Sequence, residues 1–565
     1  MPRLIKKIIL LLIPLFLLFS YTVIKKDFRL AHQTSLVYNT PFPWQTYILK
    51  AEMAKIFQKL RFIKKNSQFS KVKITLNKKS SKKLLGNTPN STKDWVKASL
   101  KYENNLVQNI ELRYRGDNPW NWLMEKKSYR IKLRKNELIN NSKYLEYFPF
   151  SPTMFFSSKL SSEMDLLTLK PKLIELYING ISNGMYVEFE RLNENFLKKN
   201  NINFANIYKG ENHASERYIG LNNNLFNNTE LWSKVSAISK NSAKNKSDLN
   251  FFLESLIKNE NKSSPDLSLD GFIDLNIQSK FFSFLTISQN NHHDYFHNMR
   301  LVFNTENGKV TQLLADSQIN SSIDPDGFLL DFSSNDLSSF LNKNTDFIDQ
   351  KYKWIYYYVF KRKIIDKLIS YYKSIRPNLK IVEKREPHSN DGLRSNLIKS
   401  DVIIQKIKSN KKNIEKLFGS KPNSTWNPSK KGFKISIKGH MPAANIKLYF
   451  KNNPPKWIGI DEDYNNRISL NEKKIYLEGS SSTILLPIRI YSNRIKSSKN
   501  LSRIDQEFRI KNINTKFNFI TENNNAPYEI IATNPFNKKE FILKKENSIA
   551  VKTNKYNKVL INSEI

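Results

Sequence analysis

Cysteine is absent from the 565 residues. That excludes disulfides, thiolate zinc sites and a cysteine nucleophile, and it fits a reducing or an oxidising compartment equally. Acidic residues are scarce, 51 Asp and Glu against 92 Lys and Arg, for a formal net charge of +41. Such an excess points first to nucleic acid or another anionic polymer. Here it is spread through a chain rich in Lys, Asn and Ile rather than gathered into one stripe, so nucleic acid is not the expected partner. Anionic lipid headgroups or acidic glycans suit the basic exterior better. No internal repeat is visible, and the length allows two or three domains, each with its own core.

Long apolar runs are missing except at the start. Ile8 to Ile24 is a largely apolar run without a charged residue, bracketed by Lys6-Lys7 and Lys25-Lys26. At about 17 residues it is just long enough to span a bilayer, and Pro14 is tolerable there because membrane helices can re-satisfy a freed carbonyl. Its end lacks a small-x-small cleavage pattern, so residues 1–26 are expected to be an uncleaved signal anchor. With Arg3, Lys6 and Lys7 inside, the chain is expected to be a single-pass membrane protein with its bulk outside the cytoplasm. Residues 27–70 read as a juxtamembrane linker, with Ile48, Leu49, Met53, Ile56, Phe57 and Leu60 at helical spacing.

Beyond it, Lys71 to Leu76, Trp95 to Tyr102 and Val107 to Tyr114 read as strands of a β-rich lobe. A further strand holds Tyr129, Ile131 and Leu133 on one face and Ser128, Arg130 and Lys132 on the other. In a nucleotide-binding lobe Lys127 or Lys132 could reach phosphate from such a strand, and both could equally be ordinary residues of an exposed strand face. Glu190 ends the strand of the hairpin around Asn179-Gly180 and Asn183-Gly184. It either lines a cleft or serves as a carboxylate at a helix N-terminus.

The stretch richest in metal-capable side chains is NHHDYFHNMRLVFNTENGKVTQLLAD, Asn291 to Asp316. Alternation at Met299, Leu301 and Phe303, a turn at Asn307-Gly308, and alternation at Val310, Gln312 and Leu314 predict a β-hairpin with a carboxylate near each end. Asp294, Asn298 and Asp316 can then converge. A loop Asp, a following Asn and a second Asp beyond a hairpin is how protein kinases orient a hydroxyl and hold Mg²⁺. The alternative is that these residues only cap a turn. His292, His293 and His297 offer imidazole nearby, but the carboxylates make the better metal case. The helix before this stretch is expected over Leu267 to Gln289, opening near Asp270.

Three segments together resemble the CotH family of atypical kinases. They are RGDNPWNWLMEKKSYRIKL (115–133), NGISNGMYVEFERLNENFL (179–197) and the Asn291 to Asp316 stretch, in the family's order and approximate spacing. The resemblance implies an α+β fold, an atypical protein-kinase-like two-lobed domain over residues 71–380, with ATP and Mg²⁺ or Mn²⁺ between the lobes. It implies Asp294 as the catalytic-loop Asp and Asn298 and Asp316 as metal ligands. Arg115, Lys127, Lys132 and Glu190 would be the nucleotide-side residues, with Gly116 completing the turn after Arg115. Its described activity is phosphate transfer to Ser or Thr of surface or envelope proteins. Three positions depart from the pattern: Asn118-Pro119 replaces paired serines, Val310 replaces an aromatic, and Gln318 replaces a second Asp. Loss of a carboxylate weakens a Mg²⁺ site, so a catalytically inactive surface scaffold is the second reading.

Thr345 to Ser374 reads as a closing helix pair, and Pro and polar residues from 376 onward mark a boundary. A linker helix is expected from Asn396 to Phe418 within 381–430, with Pro422 and Pro428 ending it. Short alternating strands from Gly432 predict a β-sandwich-like domain over 431–565.

Overall fold

The computed structural model describes residues 66–546, apart from 87–93, 104, 117–120, 122–125, 135–136, 141, 212–223, 237–244, 261–268, 270, 296–297, 321–329, 387–394, 471, 478–481, 493, 498–507 and 513. It also describes Pro14 and residues 559–561. The expected anchor, the helix over 45–64 and His297 lie outside the described residues. Among those described, no helix is long and apolar enough to cross a membrane. Two compact units emerge. One comprises residues 1–163, 168–203 and 366–405, and the other 164–167, 204–365 and 406–565.

The first unit is built on a closed barrel of β1 (Ser70–Thr75), β2 (Val96–Tyr102), β3 (Asn105–Tyr114), β4 (Tyr129–Lys132), β5 (Tyr144–Pro149), β6 (Lys172–Ile178) and β7 (Ile181–Glu190). The order is β1-β2-β3-β4-β5-β7-β6, antiparallel throughout except for the parallel β1–β6 pair that closes it. Period-2 patterning makes these strands. In β2, Val96, Ala98, Leu100 and Tyr102 are buried while Lys97 and Lys101 are exposed. The same alternation puts Ile131 and Tyr129 of β4 into the core with Ile110, Leu112, Leu145, Ile174 and Tyr186. The strands expected at 71–76, 95–102 and 107–114 are thus present. A short helix, α1 (Lys78–Gly86), follows β1, and α2 (Pro152–Glu163) follows β5. In α2, Phe155 and Phe156 pack on Tyr371 and Tyr372, with ring centroids 6.2 and 5.5 Å apart. After β7 comes α3 (Glu194–Lys199), capped by the Asn193 side chain on the Phe196 N–H.

The second unit carries a four-stranded sheet, β11-β10-β8-β9, from β8 (Ala205–Gly210), β9 (Trp232–Ser236), β10 (Met299–Asn304) and β11 (Val310–Gln312). Helix α4 (Ser247–Glu260) precedes α5 (Leu275–Ser288). Expected to open near Asp270, α5 starts later because the Asp274 carboxylate accepts from the Ile277 N–H at 3.0 Å. It is tied to the hairpin: Gln278 Nε2 donates to the Val310 carbonyl at 2.7 Å, and Gln312 Nε2 to Gln278 Oε1 at 3.0 Å.

A two-residue strand β12 (Phe332–Ser333) leads to α6 (Asp336–Leu341) and α7 (Thr345–Tyr356). A π-helical turn (Tyr357–Lys361) then joins α7 to α8 (Ile364–Glu383). The boundary expected at 376 is corrected: α8 continues through Pro377 to Glu383. Pro377 is exposed, so solvent can take the carbonyl its missing N–H frees, while Leu379 and Val382 stay buried and hold the next turn. Helix α9 (Asn396–Gly419) matches the linker helix expected from Asn396.

The C-terminal strands are β13 (Asn423–Ser429), β14 (Gly432–Lys438), β15 (Ala443–Tyr449), β16 (Trp457–Asp461), β17 (Lys474–Tyr476), β18 (Thr483–Ile490), β19 (Arg494–Ser497), β20 (Phe508–Asn512), β21 (Thr515–Thr521), β22 (Glu529–Thr533), β23 (Glu540–Ile542), β24 (Lys544–Lys545) and β25 (Val559–Ile561). A six-stranded sheet (β17-β16-β21-β14-β13-β24) and a five-stranded one (β23-β22-β15-β18-β25) share one core, as a sandwich does. That core includes Phe433, Ile435, Phe517 and Phe519 from the first sheet and Ile446, Leu486 and Ile530 from the second. Pro428, read as a linker proline, lies inside β13 opposite Phe433. Its missing N–H costs no ladder bond, because β24 pairs β13 only at Thr425 and Trp426.

Within this unit the sandwich is bonded to the helical segment rather than strung from it. Asp349 of α7 accepts from Arg489 and from Tyr491, each at 2.8 Å. Tyr356, Phe360, Phe418 and Phe536 form an aromatic cluster.

Candidate functional site

Helix α5 ends at Gln289 in the left-handed conformation, which turns the chain into the loop 291–298. Both flanks of Asp294 are fixed. His293 is 1% exposed; its carbonyl accepts from Ser334 Oγ at 2.7 Å and from Asn335 Nδ2 at 3.0 Å, and its Nδ1 meets Asn290 Nδ2 at 3.0 Å. On the other side the Tyr295 N–H donates to the Ser334 carbonyl at 3.1 Å, and the Leu225 N–H donates to the Tyr295 carbonyl at 2.8 Å. Asp294 is held half-buried between these anchors.

The expected hairpin is present in the expected register, with Leu301 opposite Gln312 and Phe303 opposite Val310. The turn closes through Asn304 and Lys309, with Gly308 at φ 70°. At the open end the Leu313 N–H still donates to the Arg300 carbonyl at 3.0 Å. The hairpin therefore brings Asn298 near Asp316. Asn298 is 4% exposed, and its Nδ2 donates to the His292 carbonyl at 3.2 Å, which leaves Oδ1 as its atom with ligand capacity. The His292 imidazole lies 3.8 Å from the Asp316 carboxylate, whose side chain is 58% exposed. Asn298 and Asp316 both adopt positive φ, 61° and 54°, a conformation Asn and Asp tolerate best after Gly. The segment beyond Asp316 is pinned in turn. The Asn320 N–H donates to the Ser288 carbonyl at 2.9 Å, and Asn410 Nδ2 to the Asn320 carbonyl at 2.8 Å.

Arg115, Lys127, Lys132 and Glu190 belong to the first unit, where pairing with carboxylates dominates. Arg115 Nε meets Glu146 at 2.5 Å, and Arg130 approaches the same carboxylate at 2.5 Å. Burial pushes the Glu146 carboxyl up, but the two guanidinium groups outweigh it and hold it below the usual carboxylate range. Lys132 sits directly opposite Glu111 and binds it at 2.6 Å, over the Trp95 ring, on a largely open strand face. Lys127 is 8% exposed and lies over the Tyr114 ring. Glu190 pairs with Lys199, in the last turn of α3, at 2.8 Å, rather than with a helix N-terminus.

The neighbouring Lys126 makes the most enclosed contact of this segment. Its Nζ binds the buried Glu386 at 2.5 Å and donates to the Met185 carbonyl at 3.0 Å. Burial holds the Glu386 carboxyl above its usual range, with Lys126 opposing. Glu386 explains Gly184, which sits at φ +82°: a Cβ there would come within 2.1 Å of Glu386 Oε2. Sequence alone left the choice between Lys127 and Lys132 open and passed over Lys126; strand register sets Lys132 opposite Glu111. Gly116, at φ +101°, is likewise closed to a side chain, with Asn121 within 2.5 Å of a would-be Cβ.

In its loop and hairpin the second unit offers hard oxygen ligands, the Asn298 Oδ1 and the Asp316 carboxylate, beside the Asp294 carboxylate. The first offers cations and a carboxylate on one barrel. Residues 112–376 match the family model described as CotH kinase protein, just under half of the chain. All seven candidate residues fall inside it. No curated protein matches the chain.

Proposed function

We propose that residues 112–376 form a CotH-type kinase domain that binds ATP with Mg²⁺ or Mn²⁺ and transfers phosphate to Ser or Thr of a surface or envelope protein. The apolar run 8–24 would anchor the chain in the membrane with the bulk outside the cytoplasm. The observation that carries the catalytic reading is the doubly anchored loop that holds Asp294 beside a hairpin uniting Asn298 and Asp316.

The donor set suits Mg²⁺, which takes one or two protein oxygens and fills its remaining octahedral positions with water and substrate phosphate. When bound, the ion would neutralise phosphate charge. Asp294 orients the acceptor hydroxyl and takes its proton. Asn298 and Asp316 hold their oxygens at the open end of the hairpin, with His292 next to Asp316. Lys127 or Lys132, with Arg115 and Glu190, would be the nucleotide-side residues that the resemblance implies.

A non-catalytic scaffold that holds an envelope protein or anionic polymer is the second reading, favoured by Gln318 and by the Glu111 partner of Lys132. Incubation of the full chain with labelled ATP and Mg²⁺ or Mn²⁺ separates the two. Acid-stable phosphate on Ser or Thr, lost in Asp294→Ala, supports the kinase. Absence of incorporation into the chain and into envelope extract favours the scaffold.

A further inference from the structure

The loop that joins β16 to β17 reads DEDYNNRISLNE, Asp461 to Glu472. Its twelve residues place oxygen-bearing groups where the twelve-residue calcium loop requires them. Asp461, Asp463 and Asn465 stand at positions one, three and five, the Arg467 carbonyl at seven, Ser469 at nine and Glu472 at twelve. Position six, which needs a sharp turn and is usually Gly, is Asn466 at φ 60°. One carboxylate oxygen from each of Asp461, Asp463 and Glu472 lies within 4.8 Å of the others.

Acidic loops are common, so the deciding observation is burial. Asp461 is 1% exposed. Its Oδ2 accepts from the Asn466 N–H at 3.0 Å and from Asn518 Nδ2 at 2.5 Å. Its Oδ1 is buried and has no hydrogen-bond partner among the described residues. The Oδ1 of Asn518, itself 2% exposed, is also without one. A carboxylate oxygen withdrawn from water with no donor is costly unless a cation completes it. We propose that the loop Asp461–Glu472 binds one Ca²⁺, with Asp461 Oδ1, Asp463, Asn465, the Arg467 carbonyl and Glu472 as ligands and Ser469 contributing directly or through water.

Calcium fits better than magnesium because the loop offers six or more oxygens in an adaptable ring, whereas Mg²⁺ demands a tight octahedron and keeps its waters. Among the cations that border the loop are Arg467 within it and Lys431, whose Nζ donates to the Asn466 carbonyl at 3.0 Å. Neither makes a salt bridge to the three carboxylates. The loop is moored to the sandwich through Asn518 and through the Tyr464 hydroxyl on the Lys516 carbonyl. Ile468 packs on Gly459, where a Cβ would come within 2.4 Å of its side chain. An ion here would lock the β16–β17 hairpin to β21. This site is independent of the proposed kinase activity.

The test is equilibrium dialysis of the full-length protein, stripped with chelator, against CaCl₂ up to about 5 mM in excess MgCl₂, with bound calcium measured by atomic emission. One Ca²⁺ per chain is expected, with affinity lowered at least about tenfold in Glu472→Gln. Asp463→Asn, at an exposed position, should weaken binding in the same sense with an unchanged circular dichroism spectrum, which keeps the test valid if Glu472→Gln disturbs folding. Asp316→Ala should leave this ion in place. Wild-type protein that takes up no calcium, or binding equal to wild type in both Glu472→Gln and Asp463→Asn, would overturn the proposal.

Discussion

Two hairpins of the second unit carry carboxylates and are armed in opposite ways. Between β10 and β11 the turn is short, the acidic groups sit at the open end, and Asp316 is 58% exposed. Between β16 and β17 the acidic groups sit in the connecting loop itself, three of them converge within 4.8 Å, and Asp461 is sealed from water. A metal that arrives with a nucleotide needs few protein ligands and an open approach. A resident ion needs a nearly complete shell from the chain. The two hairpins thus differ in the number and burial of their acidic groups rather than in strand pairing.

The largest effect is expected where the sandwich joins the helical segment that carries the first hairpin. Arg489→Ala leaves Asp349 buried with only the half-exposed Lys353 as counter-charge, and should cost about 3–5 kcal/mol in denaturant unfolding. Burial pushes the Asp349 carboxyl up, but Arg489 outweighs it and holds it below its usual range. A depressed carboxyl stabilises the fold above its unfolded pKa and loses that contribution as pH falls through the folded value. Stability should therefore decline as pH drops below about 4, and Arg489→Ala should flatten that part of the decline.

A smaller loss separates the two hairpins directly. Asp461→Ala strands the Asn466 N–H and the Asn518 amide, and should cost about 1–3 kcal/mol in the presence of about 1 mM Ca²⁺. Asp316→Ala in nucleotide-free protein should change stability by no more than about 0.5 kcal/mol, because its side chain faces solvent. Equal losses from the two substitutions would erase the contrast. Lys132→Ala should leave unfolding unchanged, since its partner Glu111 is open to water. If it nevertheless abolishes a nucleotide-dependent thermal shift, Lys132 rather than Lys127 contacts phosphate.

Much of the fold was legible because period-2 alternation reports strands wherever one face is buried. Strands β1 to β3, the β10–β11 hairpin and most sandwich strands follow from it. Closure of the barrel did not, because the parallel pairing of β1 with β6 joins residues about a hundred positions apart and leaves no local pattern. Strand β21, central between β14 and β16, went unread although Phe517 and Phe519 alternate with Lys516 and Asn518. The β10–β11 hairpin that separates Asn298 from Asp316 was legible from alternation and the Asn307-Gly308 turn. The cations of the barrel were not, since cross-strand register alone puts Lys132 against Glu111, while Lys126 meets Glu386 about 260 residues away. The calcium-type spacing from Asp461 to Glu472 went unread in the sequence, and only burial distinguishes it from a solvated acidic loop.

If the β10–β11 hairpin holds metal and nucleotide, the two should stabilise the protein only together. Thermal unfolding of full-length wild type and Asp316→Ala, each with Ca²⁺ held constant, should be followed with ATP alone, Mg²⁺ alone and both together. A rise in the wild-type midpoint is expected only with both, of the size that about 2–3 kcal/mol gives at a hundredfold excess over Kd, and its loss is expected in Asp316→Ala. A well-folded wild type that shows no shift at millimolar Mg²⁺ and ATP would contradict such binding.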